Sequence, residues 1–225
     1  MTVEAVIFDW GGTLTPWHKL DPEESWLAAS GDPEVAARLN AAENDAWVRS
    51  RDEHSSATLD TVLEAAGVDP DDAFLANYHA WWEPHTLTDA DVPELFAWLR
   101  GQGIRIGILS NTIWPRSEHE RIFARDEVLA LIDGAVYTSE IAWTKPHPEA
   151  FRAALAAVGV ADPARAVFVG DRVFDDIHGA KSVGLRAVLI PHSTVPDWQI
   201  GPTEGEPDAV VDRLADLKAV IESWR

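Results

Sequence analysis

Polar side chains that can do chemistry follow two buried apolar runs of the sequence. Asp9 comes directly after Val3–Phe8 and precedes two glycines, so its carboxylate lies in a turn where backbone groups can approach a phosphate closely. Such a carboxylate can act as a nucleophile or as a metal ligand. Ser110 and Asn111 follow Ile104–Leu109, where a hydroxyl and an amide can donate hydrogen bonds to an oxyanion. Each stretch alone also fits a structural role, as a turn or as the cap of the next helix.

A lysine and a group of carboxylates follow two further runs. Lys145 stands in Thr-Lys-Pro-His-Pro, between the exit of a predicted strand and a helix that begins at a proline. Only four lysines occur in the chain, and a lysine in this position suits neutralisation of phosphate charge. Asp171, Asp175 and Asp176 follow a strand that ends at Gly170, in an order that suits an oxygen-ligated cation such as Mg²⁺. The structural alternatives are an exposed lysine at a turn and carboxylates that cap a helix.

The four stretches need a scaffold that brings several strand ends together. Apolar, β-branched runs predict buried strands at Val3–Phe8, Ile104–Leu109, Ala135–Thr138, Ala166–Val169 and Ala187–Ile190, with a short run at Ala209–Val211. Apolar residues at helical spacing predict helices at Val92–Arg100, Arg116–Arg125, Pro148–Val158 and Asp175–Val183, and a last helix from about Asp212. This alternation predicts an α/β fold with a doubly wound parallel sheet, which binds ligands at the carboxyl ends of its strands. Residues 191–207 are predicted to form a long loop.

The segment between Trp17 and Thr88 differs from the rest of the chain because it has helical periodicity and no convincing strand. Asp21-Pro-Glu-Glu predicts a helix start with acidic residues in the first turn. We interpret residues 17–88 as a helical cap domain, inserted into a core domain of residues 1–16 and 89–225. Tryptophans beside the reactive stretches either line a substrate pocket or pack the cap on the core. They are Trp10, Trp17, Trp114 and Trp143.

The composition excludes several classes of function. A formal net charge of −20 at pH 7 repels nucleic acid and anionic membranes, so we expect neither as a partner. The chain contains no cysteine, which excludes disulfides, zinc–thiolate sites and cysteine nucleophiles. No run approaches the roughly 18–20 apolar residues of a membrane span, and the first residues lack the basic region of a signal peptide. We therefore expect a cytoplasmic protein; the sequence predicts no particular oligomeric state.

Taken together, the stretches resemble the haloacid dehalogenase-like (HAD) superfamily over nearly the whole chain. The strings Lys-Pro-His-Pro-Glu-Ala-Phe and Gly-Asp-Arg-Val-Phe-Asp-Asp-Ile-His-Gly-Ala are especially similar to the patterns of that family. The resemblance implies a Rossmann-like core with an inserted helical cap, and hydrolysis of a small phosphorylated substrate through an aspartyl-phosphate on Asp9. It implies that Ser110 and Lys145 bind the transferred phosphoryl group and take part in catalysis, and we include Asn111 among the substrate-binding residues.

The same resemblance implies Mg²⁺ as the cofactor. Its implied ligands are the carboxylates of Asp9 and Asp171, the backbone carbonyl of Gly11, and Asp176 directly or through water, with Asp175 as the less favoured substitute. Phosphoryl transfer depends mostly on positioning and on charge neutralisation, so a cation beside an ammonium agrees with the expected chemistry.

Gly11 departs from the family pattern. HAD phosphatases carry a second Asp two residues after the nucleophile, which protonates the leaving oxygen and then activates water. In this sequence that position is Gly11, so the carbonyl remains and the acid/base is missing. Loss of general acid–base assistance typically costs roughly 10²–10⁴-fold in rate.

Three explanations of this departure stay open. The first is a phosphatase whose substrate has a good leaving group, or in which another residue such as His18 supplies the proton. The second is a C–P hydrolase similar to phosphonoacetaldehyde hydrolases, whose Asp-Trp-Ala-Gly-Thr string is close to Asp-Trp-Gly-Gly-Thr here and whose cap lysine would have to be Lys19. The third is a catalytically weak protein that binds phosphate in a regulatory role. The 2-haloacid dehalogenases carry Tyr at this position and lack an acidic fourth motif, so Asp171 argues against them.

Overall fold

The core of the protein is a six-stranded parallel sheet. The computed structural model describes residues 2–191 and 205–224. The strands are β1 (Ala5–Phe8), β2 (Arg105–Ser110), β3 (Gly134–Tyr137), β4 (Ala166–Gly170), β5 (Arg186–Leu189) and β6 (Ala209–Val210). They lie in the order β3-β2-β1-β4-β5-β6, and every neighbouring pair is parallel. The prediction of a doubly wound α/β sheet is therefore confirmed.

Helices cover both faces of the sheet. From residue 92 onward, the α-helices are α5 (Val92–Gly101), α6 (Arg116–Arg125), α7 (Pro148–Ala157), α8 (Gly179–Ser182) and α9 (Leu217–Ser223). Side chains along β1 alternate between the faces: Val6 and Phe8 join the apolar cluster that includes α5 and α9, whereas Ala5 and Ile7 join the cluster of α7. All four are fully buried, which explains why the strand reads as an uninterrupted apolar run.

Four helices lie between β1 and α5, and no strand interrupts them. They are α1 (Pro22–Ser30), α2 (Pro33–Glu53), α3 (Leu59–Ala66) and α4 (Asp72–Trp82), here called the helical insert. The side chain of Asp21 caps α1 by accepting a hydrogen bond from the backbone of Glu23, as the sequence predicts. The fully buried Trp26 of the insert belongs to an apolar cluster that also includes Ile113, Trp114 and Ile122, which follow β2. Its definition as a domain of residues 17–88 stays a prediction. Among the described residues, no helix combines the length and the apolar character that crossing a membrane requires.

The largest local difference from the prediction is in the acidic stretch after β4. The predicted α-helix Asp175–Val183 is instead a π-helical segment, Val173–His178, followed by the short α8. The wider turn carries both carboxylates of the Asp175–Asp176 pair, and π-helical turns are frequent at functional sites. The last helix also begins later than predicted, at Leu217. Most of the predicted loop 191–207 lies outside the described residues.

The chain reverses its direction across the sheet beside β1. From β1 it moves outward to β2 and β3, then returns to β4 on the other side of β1. Phe8 is in register with both Ile108 and Val169, and the backbone N–H of Asp9 donates to the carbonyl of Val169 over 2.9 Å. Open α/β sheets bind ligands at such a point, so the ends of β1, β2 and β4 are the place to look for a site.

Candidate active site

The loop after β1 holds Asp9 in a tight turn. Gly12 adopts φ +85°, a left-handed conformation that side chains rarely occupy, and the Trp10 carbonyl accepts hydrogen bonds from the next turn of backbone. Thr15 closes the loop through a backbone bridge to Gly11 and a hydroxyl hydrogen bond of 2.9 Å to the Leu87 carbonyl. Asp9 is 6% exposed. Its carboxylate is therefore fixed by backbone geometry at the carboxyl edge of the sheet.

Lys145 connects two carboxylates in the interior. Its Nζ lies 2.6 Å from Asp9 Oδ1 and 2.6 Å from Asp176 Oδ1, and the residue is 4% exposed. Burial alone would lower the pKa of Lys145, but the carboxylates of Asp176 and Asp9 outweigh that effect and raise the pKa above its ordinary value. The ammonium is therefore charged at neutral pH.

Asn111 fixes the position of this lysine. Its amide nitrogen donates to the Lys145 carbonyl over 3.1 Å, and its amide oxygen accepts from the Lys145 backbone N–H over 2.8 Å. Both polar atoms of the side chain therefore have a backbone partner. This two-point clamp joins the loop after β2 to the loop that carries Lys145, so Asn111 orients the ammonium through the main chain.

Asp176 is fully buried under the end of β4. One oxygen contacts Lys145, and the other accepts from the backbone N–H of Arg172 over 2.9 Å. A Cβ on Gly170 would lie 2.4 Å from the Asp176 carboxylate, so only glycine allows this close approach. Burial raises the pKa of Asp176 to about 6; Lys145 opposes the rise and the charge of Asp9 adds to it.

Asp9, Asp171 and Asp176 form a buried carboxylate group whose ligand atoms lie within 4.8 Å of one another. Lys145 contacts Asp9 and Asp176, and the charge of Arg172 acts on Asp171, Asp175, Asp176 and Asp9, so two cations face four carboxylates. The group therefore keeps a surplus of negative charge in a place with little water. Carboxylate oxygens are hard ligands, and a surplus of about two negative charges matches a divalent cation such as Mg²⁺.

A family model described as haloacid dehalogenase-like hydrolase matches residues 3–184. The chain belongs to this family. The resemblance predicted from the four motifs is thereby confirmed, and the protein is a hydrolase. In sequence this hydrolase is similar to a glyceraldehyde 3-phosphate phosphatase of Methanopyrus kandleri, with 27% identity over 229 residues that cover 97% of each chain.

Solved structures share the fold of this HAD-like hydrolase. One is a HAD phosphatase from Thermococcus onnurineus, with a TM-score of 0.71, 21% identity and coverage of 97% of this chain and 98% of that one. Another is the L-2-haloacid dehalogenase from Xanthobacter autotrophicus, with a TM-score of 0.68, 22% identity and full coverage of both chains. Because proteins with different reactions have this fold, the reaction must be argued from the site.

The hydrolase brings four of the seven predicted site residues to one cleft, which the buried Asp171 and Asp176 do not line. Asp9, Gly11, Asn111 and Lys145 line a cleft of about 770 Å³ between the sheet edge and the helical insert. Ser110 is the last residue of β2 and is 1% exposed, but it does not line the cleft, whereas the residues directly after it do. The proposed role of Ser110 in phosphate binding stays a prediction.

Tryptophan side chains form much of the cleft wall. Trp10, Trp17 and Trp114 line it, and so do Trp47 and Trp82 of the helical insert. Trp143 does not line the cleft; it stacks on His147 at 4.1 Å and is 39% exposed. Three of the four tryptophans singled out in the sequence therefore contact the cleft, and two more come from helices whose faces the sequence does not orient.

His119 packs against Trp10 of the loop that carries Asp9. Its burial leads us to expect that the protein is less stable in acid. His119 is fully buried, contacts the hydroxyl of Thr112 at 3.1 Å, and has its ring against Trp10 and Tyr137. Burial, with a smaller effect of Arg116, lowers its pKa to about 3. The unfolded chain, with a pKa near 6.5, therefore binds a proton that the folded chain does not, and stability falls as the pH decreases from about 6.5 towards 3.

The expected size of this effect is about 2 kcal/mol between pH 7 and pH 5. Urea unfolding at both pH values should show wild type losing that much more stability than His119→Phe, which keeps an aromatic ring and cannot titrate. Equal losses in the two proteins would show that His119 does not control the acid limb.

Proposed function

We propose that this hydrolase is a Mg²⁺-dependent phosphatase for small phosphate monoesters, with Asp9 as the nucleophile. The observation that carries the proposal is the position of Lys145 Nζ, 2.6 Å from both Asp9 and Asp176 inside a group of three buried carboxylates. An ammonium and a divalent cation together neutralise the charge of a phosphoryl group beside a carboxylate nucleophile. The relative from Methanopyrus kandleri, named as a phosphatase, supports the same reaction class.

The cation has a defined set of candidate ligands in this proposal. Asp9, Asp171 and Asp176 would hold it, with the Gly11 carbonyl as a further ligand. When bound, Mg²⁺ would polarise the phosphoryl oxygens and offset their charge. The acidic group also separates this proposal from a metal-free dehalogenase reaction, in which three buried carboxylates would have no cation to bind.

The side chains then divide the reaction as follows. A carboxylate oxygen of Asp9 attacks phosphorus, and the bond from phosphorus to the alcohol oxygen breaks with its electron pair on that oxygen. Since Gly11 carries no acid, the departing alkoxide takes its proton from water or from a more distant group such as His18, which lines the cleft. Water next attacks the phosphorus of the aspartyl-phosphate and releases phosphate and free Asp9. Lys145, oriented by Asn111, offsets negative charge in both steps.

Hydrolysis of para-nitrophenyl phosphate tests the proposal, because nitrophenolate leaves without a proton. We expect turnover with Mg²⁺, none with EDTA, and none above background for Asp9→Asn. The matched control is Asp45→Asn, an exposed residue of α2 outside the cleft, which should keep wild-type activity.

Absence of turnover in a folded sample that binds Mg²⁺ would overturn the phosphatase proposal. That result would favour a phosphonate hydrolase, which needs Lys19 at the cleft, or a phosphate-binding protein without turnover. The cap boundaries at residues 17 and 88 and a cytoplasmic location stay proposals beside it.

A further inference from the structure

One face of α2 forms a wall of the cleft. The residues of this wall recur at helical spacing, so they share one side of the helix. They are Asn40, Glu43, Asn44, Trp47, Ser50 and Arg51. The carboxyl end of the wall is tied to the lysine loop, because the Ser50 hydroxyl donates to the Thr144 hydroxyl over 3.0 Å. One end of this wall therefore lies beside the loop that carries Lys145, and the rest extends along α2 of the helical insert.

Glu43 is a buried carboxylate on this wall and is 8% exposed. Trp26 donates its indole N–H to one oxygen over 2.8 Å, and Trp47 donates to the other over 3.2 Å. Within residues 2–191 and 205–224, no lysine, arginine or histidine forms an ion pair with Glu43. Glu43 therefore lines the cleft with both carboxylate oxygens bound to neutral indole donors.

Such a charge is costly unless a cation joins it. Burial raises the pKa of Glu43, and the indole hydrogen bonds of Trp47 and Trp26 oppose the rise only in part. A neutral amide or hydroxyl would serve as a structural acceptor for indole N–H groups without the desolvation cost of a carboxylate. A carboxylate is favoured where the cleft receives a positively charged group.

Aromatic rings surround the same part of the cleft. Tyr78, Trp82 and Trp114 line it together with Trp47. Tyr78 stacks on Trp26 at 4.4 Å, and the indole N–H of Trp114 donates to its hydroxyl over 3.0 Å, so the rings are held in place. Aromatic faces attract ammonium groups through their quadrupoles, most strongly where water is excluded.

We propose that the substrate is a phosphate monoester whose alcohol part carries an ammonium group, and that Glu43 and the surrounding rings bind this ammonium. The inference rests on the phosphatase function proposed above and names the class of its substrate. Lys145 and the carboxylate group receive the phosphoryl end, and Glu43 receives the cationic end.

An ammonium group also compensates for the missing acid at Gly11. A positive charge two or three carbons from the leaving oxygen stabilises the developing alkoxide, so less rate is lost without a proton donor. The departure at Gly11 and the carboxylate at Glu43 therefore point to the same kind of leaving group.

Calorimetric titration of the Mg²⁺-loaded protein tests the inference without turnover. The probes are 2-aminoethylphosphonate and n-propylphosphonate, which have the same shape and differ by the ammonium. We expect wild type to bind the amine at least tenfold more tightly and Glu43→Gln to bind both equally. Glu43→Asp, which withdraws the charge by one methylene, should show an intermediate preference and serves if the amide variant does not fold. Glu64→Gln, on an exposed face of α3, is the matched control and should keep the wild-type ratio.

Equal affinities of the two probes in wild type would overturn the inference, as would an amine preference that Glu43→Gln and Glu43→Asp both retain in full. Neither result bears on the phosphatase proposal, because hydrolysis of para-nitrophenyl phosphate does not involve an ammonium. Conversely, a protein that prefers the amine but shows no turnover would support the ammonium site and contradict the phosphatase proposal.

Discussion

Replacement of Lys145 by Met should lower the turnover of para-nitrophenyl phosphate by at least about 10²–10³-fold and destabilise the metal-free protein by about 3–5 kcal/mol. The reason for both effects is the same. The substitution removes the ammonium that lies 2.6 Å from Asp9 and from Asp176, and it leaves two buried carboxylates without the cation that contacts them. The measurements are steady-state kinetics with Mg²⁺, and urea unfolding at pH 8 with EDTA.

Saturating Mg²⁺ should restore part of the lost stability, because a cation that binds only the folded state stabilises it by mass action. The matched control is Lys181→Met. Lys181 Nζ also lies 2.6 Å from a carboxylate, that of Asp208, but its side chain is 39% exposed. An exposed pair contributes at most about 1 kcal/mol, so turnover should not change and the stability should change little. Equal destabilisation by the two substitutions would contradict the role given to Lys145.

The sheet and the order of the motifs could be predicted from the sequence, because their signals are local. Strands covered on both faces read as apolar runs, and parallel strands put their carboxyl ends at one edge. Asp9 directly follows β1, and Lys145 lies in the connection between β3 and α7. The topology therefore brings the two side chains to the same edge of the sheet. Their 2.6 Å contact confirms that convergence, whereas their roles in catalysis stay proposals.

The finer features of the site could not be predicted, since they depend on contacts between distant segments. An amide such as that of Asn111 bonds equally well to a ligand or to backbone, and only the fold shows that both its atoms hold Lys145. Periodicity indicates a helix after β4 but not the wider π-helical turn that carries Asp176. Glu43 is one of 38 acidic residues, and the spacing of its neighbours identifies a helix face without saying that the face borders a cleft.

The substitution Gly11→Asp should raise the hydrolysis of simple alkyl phosphates by roughly 10²–10⁴-fold and change para-nitrophenyl phosphate turnover little. HAD phosphatases carry an acid at this position, and the local geometry accepts one here. Gly11 is not among the glycines with positive φ, and a Cβ would meet only Trp17, at an ordinary contact distance of 3.7 Å. An added carboxylate can protonate a poor leaving group, which nitrophenolate does not need.

The measurement is kcat/KM over a series of phosphate esters with leaving groups from nitrophenol to unsubstituted alcohols. In wild type the rate should fall steeply along the series, and in Gly11→Asp the dependence should be much flatter. Gly11→Asn is the control, because it adds the same volume without an acid and should retain the steep dependence. A wild-type enzyme that already shows a flat dependence would mean that another group supplies the proton, with His18 on the cleft wall as the first candidate to replace. If the wild-type rate depends steeply on the leaving group but is restored for esters with an ammonium near the leaving oxygen, the substrate itself compensates for the acid that Gly11 lacks.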